Sequence, residues 1–146
     1  MFVGDNAQHI EEILQANIRS IPFAKGVNNH MGSKFTASPN EIGNALKVIR
    51  SRGMFFVDSY TSSRSLAHAT ARRYHIPTAH RNVFLDNVRQ ESAIMSQLVH
   101  LQKHAMLYGR AIGIGHPFPE TVRAIGRFAK RLKQSNVSLV PVSEIL

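Results

Sequence analysis

The sequence contains neither cysteine nor tryptophan, and it has only nine acidic residues. The absence of cysteine excludes a disulfide-stabilised scaffold, a thiol nucleophile and a zinc site built on thiolates. No apolar run approaches the roughly 18 residues of a membrane span, and the first twenty residues lack the basic and then apolar order of a signal peptide. With 146 residues, 43% of them hydrophobic, the chain has the size and composition of one globular domain.

Basic residues outnumber acidic ones by 18 to 9, which gives a formal net charge of +9. This excess favours an anionic partner such as a nucleic acid, an acidic polymer or an anionic lipid surface. Aromatic residues, however, make up only 8% of the chain and lie mostly in apolar runs, and no nucleic-acid-binding motif is present. We therefore expect no nucleic-acid partner. The cluster of Arg and Lys in 123–133 favours a solvated helix face, with attraction of an anion as the alternative.

Amphipathic segments alternate with short apolar runs along the whole chain. Helical spacing and helix-start signals predict helices near 6–21, 38–52, 64–74, 87–108 and 119–135. Apolar runs predict strands near 24–29, 54–57, 82–85, 111–114 and 137–142. Such an alternation is typical of an α/β protein with a parallel sheet covered by helices. No linker or repeat interrupts it, so we predict a single domain over residues 1–146.

Polar residues follow each of the first four predicted strands. They are Asn28, Asn29 and His30 after the first, Asp58 after the second, Asp86 and Asn87 after the third (with Arg81 just before it), and His116 after the fourth. In one parallel sheet these strand ends would share a rim, and the side chains would converge on a cleft. A set of His, Asp and Asn side chains is typical of a metal-assisted hydrolase.

Each member of this set also has a structural interpretation. Asp58 and Asp86 suit helix N-caps, and Asn28 and Asn29 suit a turn. A single histidine at a strand end is commonly a surface or capping residue. A second histidine pair, at positions 100 and 104, has a spacing that can hold zinc, but the glutamate of an HExxH motif is absent, so packed or solvated helix histidines are favoured.

Four segments together resemble the divergent polysaccharide deacetylase family. They are GVNNHMGS with FT at 26–36, FFVDS at 55–59, RNVFLDN at 81–87 and AIGIGHP at 111–117. Their order and spacing fit across nearly the whole chain. The resemblance implies a NodB-like, distorted (β/α) barrel related to metal-dependent carbohydrate esterases, acting on a cell-envelope polysaccharide.

The resemblance also implies roles for individual residues. The NNHMGS segment matches by position a cleft-lining arginine–proline motif, Asp58 matches an aspartate motif, and His116 matches the histidine that acts as general acid. Catalytic roles are therefore expected for His116 and Asp58, and metal ligation, with zinc as the expected ion, for His30 and Asp86. Asn28, Asn29, Arg81 and Asn87 are the expected substrate-binding residues.

Family members carry an earlier segment with an Asp-Asp pair, and this sequence has none. The chain thus resembles the C-terminal two-thirds of a family member, and we expect it to be incomplete and inactive alone, with an unpaired sheet edge. The family also implies a periplasmic or extracellular location. The alternative function is a non-catalytic envelope module that kept the fold and binds glycan. The sequence leaves the sugar and the oligomeric state open.

Overall fold

The computed structural model describes all 146 residues, which form two compact units, Met1–His80 with Leu146, and Arg81–Ile145. The helices are α1 (Ala7–Ser20), α2 (Ser33–Thr36), α3 (Pro39–Ser51), α4 (Ala67–Arg73), α5 (Glu91–Tyr108) and α6 (Pro119–Leu132). The strands are β1 (Gly26–Asn28), β2 (Phe55–Asp58), β3 (Thr78–His80), β4 (Val83–Phe84) and β5 (Gly113–Ile114). None of the helices combines the length and the apolar character that crossing a membrane requires. The single domain stays a prediction.

The first unit contains a three-stranded parallel sheet in the order β1-β2-β3. Val27 of β1 lies opposite Phe56 of β2, and Asp58 at the end of β2 lies opposite His80 at the end of β3. Because the strands are parallel, their carboxyl ends share one edge of the sheet. This edge brings together the polar segments that follow β1 and β2.

The core of the first unit packs α1, α3 and α4 against this sheet. Ile10 of α1 and Leu46 of α3 are fully buried, and Phe56 of β2 is 3% exposed. Burying side chains of this size contributes about 1.5–3 kcal/mol each. Beside the edge strand β1, mainly apolar side chains that include Ile18 and Phe35 line a cavity of about 1020 Å³.

The second unit contains the parallel pair β4–β5, in which Val83 lies opposite Gly113. Helices α5 and α6 bury Ile94 and Phe128 in its core. The register of the two strands places the residues that follow β4 beside those that follow β5. Asp86 and His116 therefore become neighbours although 30 positions separate them in the sequence.

The structure confirms the α/β class and the parallel pairing. It contains one short helix that was not predicted, α2, and its strands differ from the prediction in two places. The strands belong to two sheets instead of one, because residues 78–80 pair with β2 while residues 83–84 pair with β5. The strand predicted at 137–142 is wrong. Residues 137–141 pair with no strand and lead to a short 3-10 helix, Val142–Glu144. Leu139 is 59% exposed and Pro141 lacks an N–H to donate, so this apolar run does not join a ladder.

Candidate functional site

Asp86 and His116 form a hydrogen-bonded pair at the carboxyl ends of β4 and β5. The backbone N–H of His116 donates to Asp86 Oδ2 at 2.6 Å, and His116 Nδ1 lies 3.0 Å from Asp86 Oδ1. Thr121, in the first turn of α6, donates its hydroxyl to Asp86 Oδ2 at 2.8 Å. The Asp86 side chain is fully buried, whereas that of His116 is 34% exposed.

The ionisation state of the Asp86 carboxyl determines which nitrogen of the His116 imidazole carries a proton in this pair. Burial raises the pKa of this carboxyl, but the hydrogen bonds from His116 and Thr121 outweigh burial, so the pKa lies below its usual value of 3.8. An ionised carboxylate only accepts hydrogen bonds, so His116 Nδ1 carries the proton that it donates to Asp86. The other ring nitrogen, Nε2, takes no part in this contact with Asp86. This is the arrangement by which a carboxylate orients an acid–base histidine.

Gly115 allows this close contact between the two strand ends. A Cβ atom at this position would lie 3.1 Å from Asp86 Oδ2 and 3.2 Å from Thr121 Cγ2. Both neighbours are buried and held by hydrogen bonds, so neither can move away at low cost. The glycine before His116 in the sequence GIGHP therefore has a steric role in forming the pair.

Asp58 is buried at the end of β2, where its carboxylate accepts three hydrogen bonds. The backbone N–H of Tyr60 donates to Oδ1 at 2.8 Å, and the Ser65 hydroxyl donates to Oδ2 at 2.8 Å. The N–H of His68, in the first turn of α4, also donates to Oδ2 at 3.2 Å. Asp58 thus stabilises the start of α4, where the helix dipole favours negative charge. Its catalytic role stays a prediction.

Asn28, Asn29 and Ser59 connect the ends of β1 and β2. Asn29 Oδ1 accepts the Ser59 N–H at 2.8 Å, and Asn28 Nδ2 donates to the Ser59 hydroxyl at 3.2 Å, which in turn donates to the Asn29 carbonyl. The Nδ2 of Asn29 is buried and has no hydrogen-bond partner. A buried donor without an acceptor is costly.

Three rings lie close together in the first unit: Tyr60, His68 and His80. The centroid of the His80 ring is 5.6 Å from that of Tyr60 and 5.1 Å from that of His68. Burial lowers the pKa of His68 below its usual 6.5, the neighbouring His80 and Arg72 lower it further, and Asp58 only partly opposes them. His68 is therefore neutral at pH 7.

The residues of this chain do not form a metal-binding set. No group of three or more His, Cys, Asp or Glu side chains is placed to hold an ion. His30 is exposed in the loop after β1, and both oxygens of Asp86 accept hydrogen bonds from the protein. The expected zinc therefore rests on the family resemblance alone.

The predicted substrate-binding residues of the second unit lie on either side of Asp86 in the sequence. The guanidinium carbon of Arg81 is 5.4 Å from the centre of the Phe84 ring, and Asn87 is exposed directly after Asp86. Each unit thus brings together part of the predicted set. The second unit pairs Asp86 with His116, and the first unit joins Asn28 and Asn29 to Ser59, the residue after Asp58. Convergence of the two parts on one cleft stays a prediction.

Sequence reasoning missed Thr121 and His68, and it placed Tyr60 and His80 near strand ends without assigning them a role. Thr121 carried one usable signal, since it lies two residues after Pro119, which begins α6, and only five after His116. Tyr60 and His80 each lie at or just beyond a strand end, but only the pairing of β2 with β3 places them side by side.

Comparison with known proteins identifies the family to which this chain is similar. Residues 1–146 match the family described as divergent polysaccharide deacetylase. The chain is 31% identical over 141 residues to the uncharacterized protein YibQ of Escherichia coli (strain K12), covering 97% of this chain and 44% of YibQ. It is 27% identical over 145 residues to an uncharacterized protein of Haemophilus influenzae, covering 99% of this chain and 51% of that protein.

A solved structure shares the fold. The uncharacterized protein ATU2773 from Agrobacterium tumefaciens C58 superposes with a TM-score of 0.89 at 27% identity, over 98% of this chain and 58% of that one. The chain spans about half the length of these relatives. Both the sequence match over residues 1–146 and the arrangement of parallel strands agree with the resemblance, and the chain belongs to the divergent polysaccharide deacetylase family.

Proposed function

We propose that this protein acts in removing acetyl groups from a cell-envelope polysaccharide, with His116 as the acid–base residue. The observation that carries the proposal is the hydrogen bond between His116 Nδ1 and the buried Asp86 carboxylate, at 3.0 Å. Family membership supports the choice of substrate class. Because both Asp86 oxygens are engaged by His116 and Thr121, we assign Asp86 to positioning His116 instead of to a metal.

The chemistry assigned to His116 is proton transfer at the scissile bond. Hydrolysis of an acetamide or acetate ester adds water to the carbonyl carbon and breaks its bond to the sugar nitrogen or oxygen. That leaving atom needs a proton, which imidazole can supply near neutral pH. Asp86 stabilises the imidazolium that exists before the proton is given up. Arg81, Asn28 and Asn29 are proposed to bind the sugar.

Zinc and export are proposed for the longer members of the family. A divalent ion such as zinc needs a ligand set that the residues of this chain do not form. We therefore propose that the 146 residues alone release no acetate. Acetylated envelope polysaccharides lie outside the cytoplasm, so a periplasmic or extracellular location is part of the proposal.

The test measures acetate release from acetylated chito-oligosaccharides, with and without a chelator. It compares the 146-residue chain with a longer member of the family that carries the matching histidine. In the active form, His116→Ala is expected to lower turnover about 100-fold or more. His104→Ala is the matched control, because His104 is a half-buried histidine on α5. Its ring packs on that of Tyr108, with 4.5 Å between the ring centroids. Unchanged turnover in His116→Ala would reject the assignment, and robust release by the 146 residues alone would reject their inactivity.

A second candidate function is glycan binding without catalysis. This alternative is favoured because the protein itself occupies both buried carboxylates. Asp58 and Asp86 each accept three hydrogen bonds from other residues of the chain. This alternative predicts glycan binding that His116→Ala leaves unchanged, with no acetate released by any form of the protein.

A further inference from the structure

We propose that the rings of Tyr60, His68 and His80, called here the ring cluster, form a subsite for the apolar face of a pyranose ring. The choice of a sugar as ligand rests on the proposed function. The ring cluster itself is an observation about the first unit, and no residue of it was assigned a role by sequence or family.

The ring cluster lies at the carboxyl edge of the three-stranded sheet. Tyr60 follows β2, His80 ends β3, and His68 comes from the first turn of α4. Tyr60 is 40% exposed and His80 is also exposed, and none of the three rings belongs to the buried core of the unit. In open parallel sheets, ligands bind at this end of the strands. Exposed rings there form a surface and not a core.

Asp58 holds two of the rings in place. Its carboxylate accepts the N–H of Tyr60 and the N–H of His68, so one buried group sets the backbone position of both. Tyr60 also has a left-handed backbone, with φ of 48°. This conformation costs about 1–2 kcal/mol in a residue with a Cβ and is relaxed in glycine. The fold therefore holds an aromatic side chain at a position where the backbone alone favours glycine.

Polar groups beside the ring cluster suit the hydroxyls of a sugar. The buried Ser59 hydroxyl, directly before Tyr60, accepts one hydrogen bond from Asn28 Nδ2 and donates to the Asn29 carbonyl, and the Ser59 N–H donates to Asn29 Oδ1. Asn28 is exposed at this edge, so its side-chain amide is the polar group of this set that a ligand can reach. An aromatic face next to an amide group matches a pyranose, which has an apolar C–H face bordered by hydroxyls.

The angles between the rings favour a sugar over a nucleobase. The Tyr60 and His80 rings are inclined by 45°, and the His68 and His80 rings by 72°. Neither of these two ring pairs is parallel, so neither forms a slot that holds a flat base between two rings. A chair-shaped pyranose needs only one ring for its C–H face, and the inclined neighbour can contact its edge.

Binding of tetra-N-acetylchitotetraose to the 146-residue chain tests the proposal, measured by calorimetry and by NMR shifts of the ring protons. Tyr60→Ala and His80→Ala are each expected to weaken binding about tenfold or more, and Tyr60→Phe to retain it. Tyr108→Ala is the matched control, because Tyr108 is 70% exposed and packs on a histidine in the second unit. It is expected to bind as the wild type does.

Tyr60→Gly separates binding from folding. If Tyr60 serves the ligand, this variant keeps or gains thermal stability, because the left-handed backbone relaxes, while binding is lost. If the variant melts earlier and still binds, the tyrosine is structural and the proposal is overturned. Absence of binding by the wild type, wild-type affinity in both alanine variants, or tighter binding of a single-stranded oligonucleotide would each overturn it as well.

The outcomes distinguish this inference from the proposed function. Ring-dependent glycan binding by a protein that never releases acetate supports the subsite and contradicts the hydrolase. If the protein releases acetate and Tyr60→Ala and His80→Ala leave the KM of this reaction unchanged, the result supports the hydrolase and contradicts the subsite.

Discussion

Replacing Thr121 by valine tests how much the Thr121 hydroxyl, through its hydrogen bond to the Asp86–His116 pair, stabilises the folded protein. The Thr121 hydroxyl donates to Asp86 Oδ2 at 2.8 Å, Thr121 is 2% exposed, and the carboxylate side chain is fully buried. Valine has the same shape, so the change removes one hydrogen bond to a charged group and opens no cavity. Such a bond contributes about 1.5–3 kcal/mol. We therefore expect the free energy of unfolding to fall by about 2 kcal/mol.

The assay is urea and thermal unfolding of the wild type, Thr121→Val and Thr121→Ser. A loss of 2 kcal/mol corresponds to a midpoint shift of about 1 M urea and of about 4–8 °C in Tm. The serine variant keeps the hydroxyl and loses one methyl group, which costs about 1 kcal/mol. Carbon-13 NMR of Asp86 should show its pKa rising in the valine variant. A valine variant as stable as the wild type, or more stable than the serine variant, would refute the reasoning.

Two further predictions concern pH and a glycine. In the folded protein the pKa of His68 lies below 6.5 and that of Asp86 below 3.8. The free energy of unfolding should therefore fall on acidification from pH 7, first through protonation of His68 and then, below pH 3.8, through protonation of Asp86. Chemical unfolding at a series of pH values measures both decreases, and His68→Gln should reduce only the decrease that comes from His68. Gly26→Ala would place a Cβ 2.2 Å from the Phe55 ring and should cost about 1–3 kcal/mol in thermal unfolding. Gly126→Ala in α6, with no atom within 4 Å, should instead gain up to about 1 kcal/mol, and equal effects of the two changes would contradict the steric argument.

Local signals were enough for five of the six helices, all except the short α2. Asp5 and Asn6 are both residue types that suit an N-cap, and in the structure the Asn6 side chain accepts the N–H of His9. Ser followed by Pro at positions 38 and 39 is a helix-start signal, and α3 begins at Pro39. Capping and proline act within one turn, so the sequence contains the information they need.

Strand pairing depended on residues far apart in the chain. The apolar run at 137–142 had the composition of a strand, but no neighbour pairs with it. Residues 78–80 and 83–84 lie almost side by side in sequence and belong to different sheets. A strand is stable only through its partner, so an apolar run predicts a strand less well than periodicity predicts a helix.

The sequence by itself determined the α/β class, the family and the residues at the strand ends, because helix periodicity, capping and motif order are properties of the chain alone. The tertiary structure decided which of those residues touch. Parallel pairing of β4 with β5 joins Asp86 to His116, and α6 adds Thr121 to the same carboxylate. Pairing of β2 with β3 assembles the ring cluster. These contacts are set by strand register and helix packing, which connect positions that no short stretch of sequence relates.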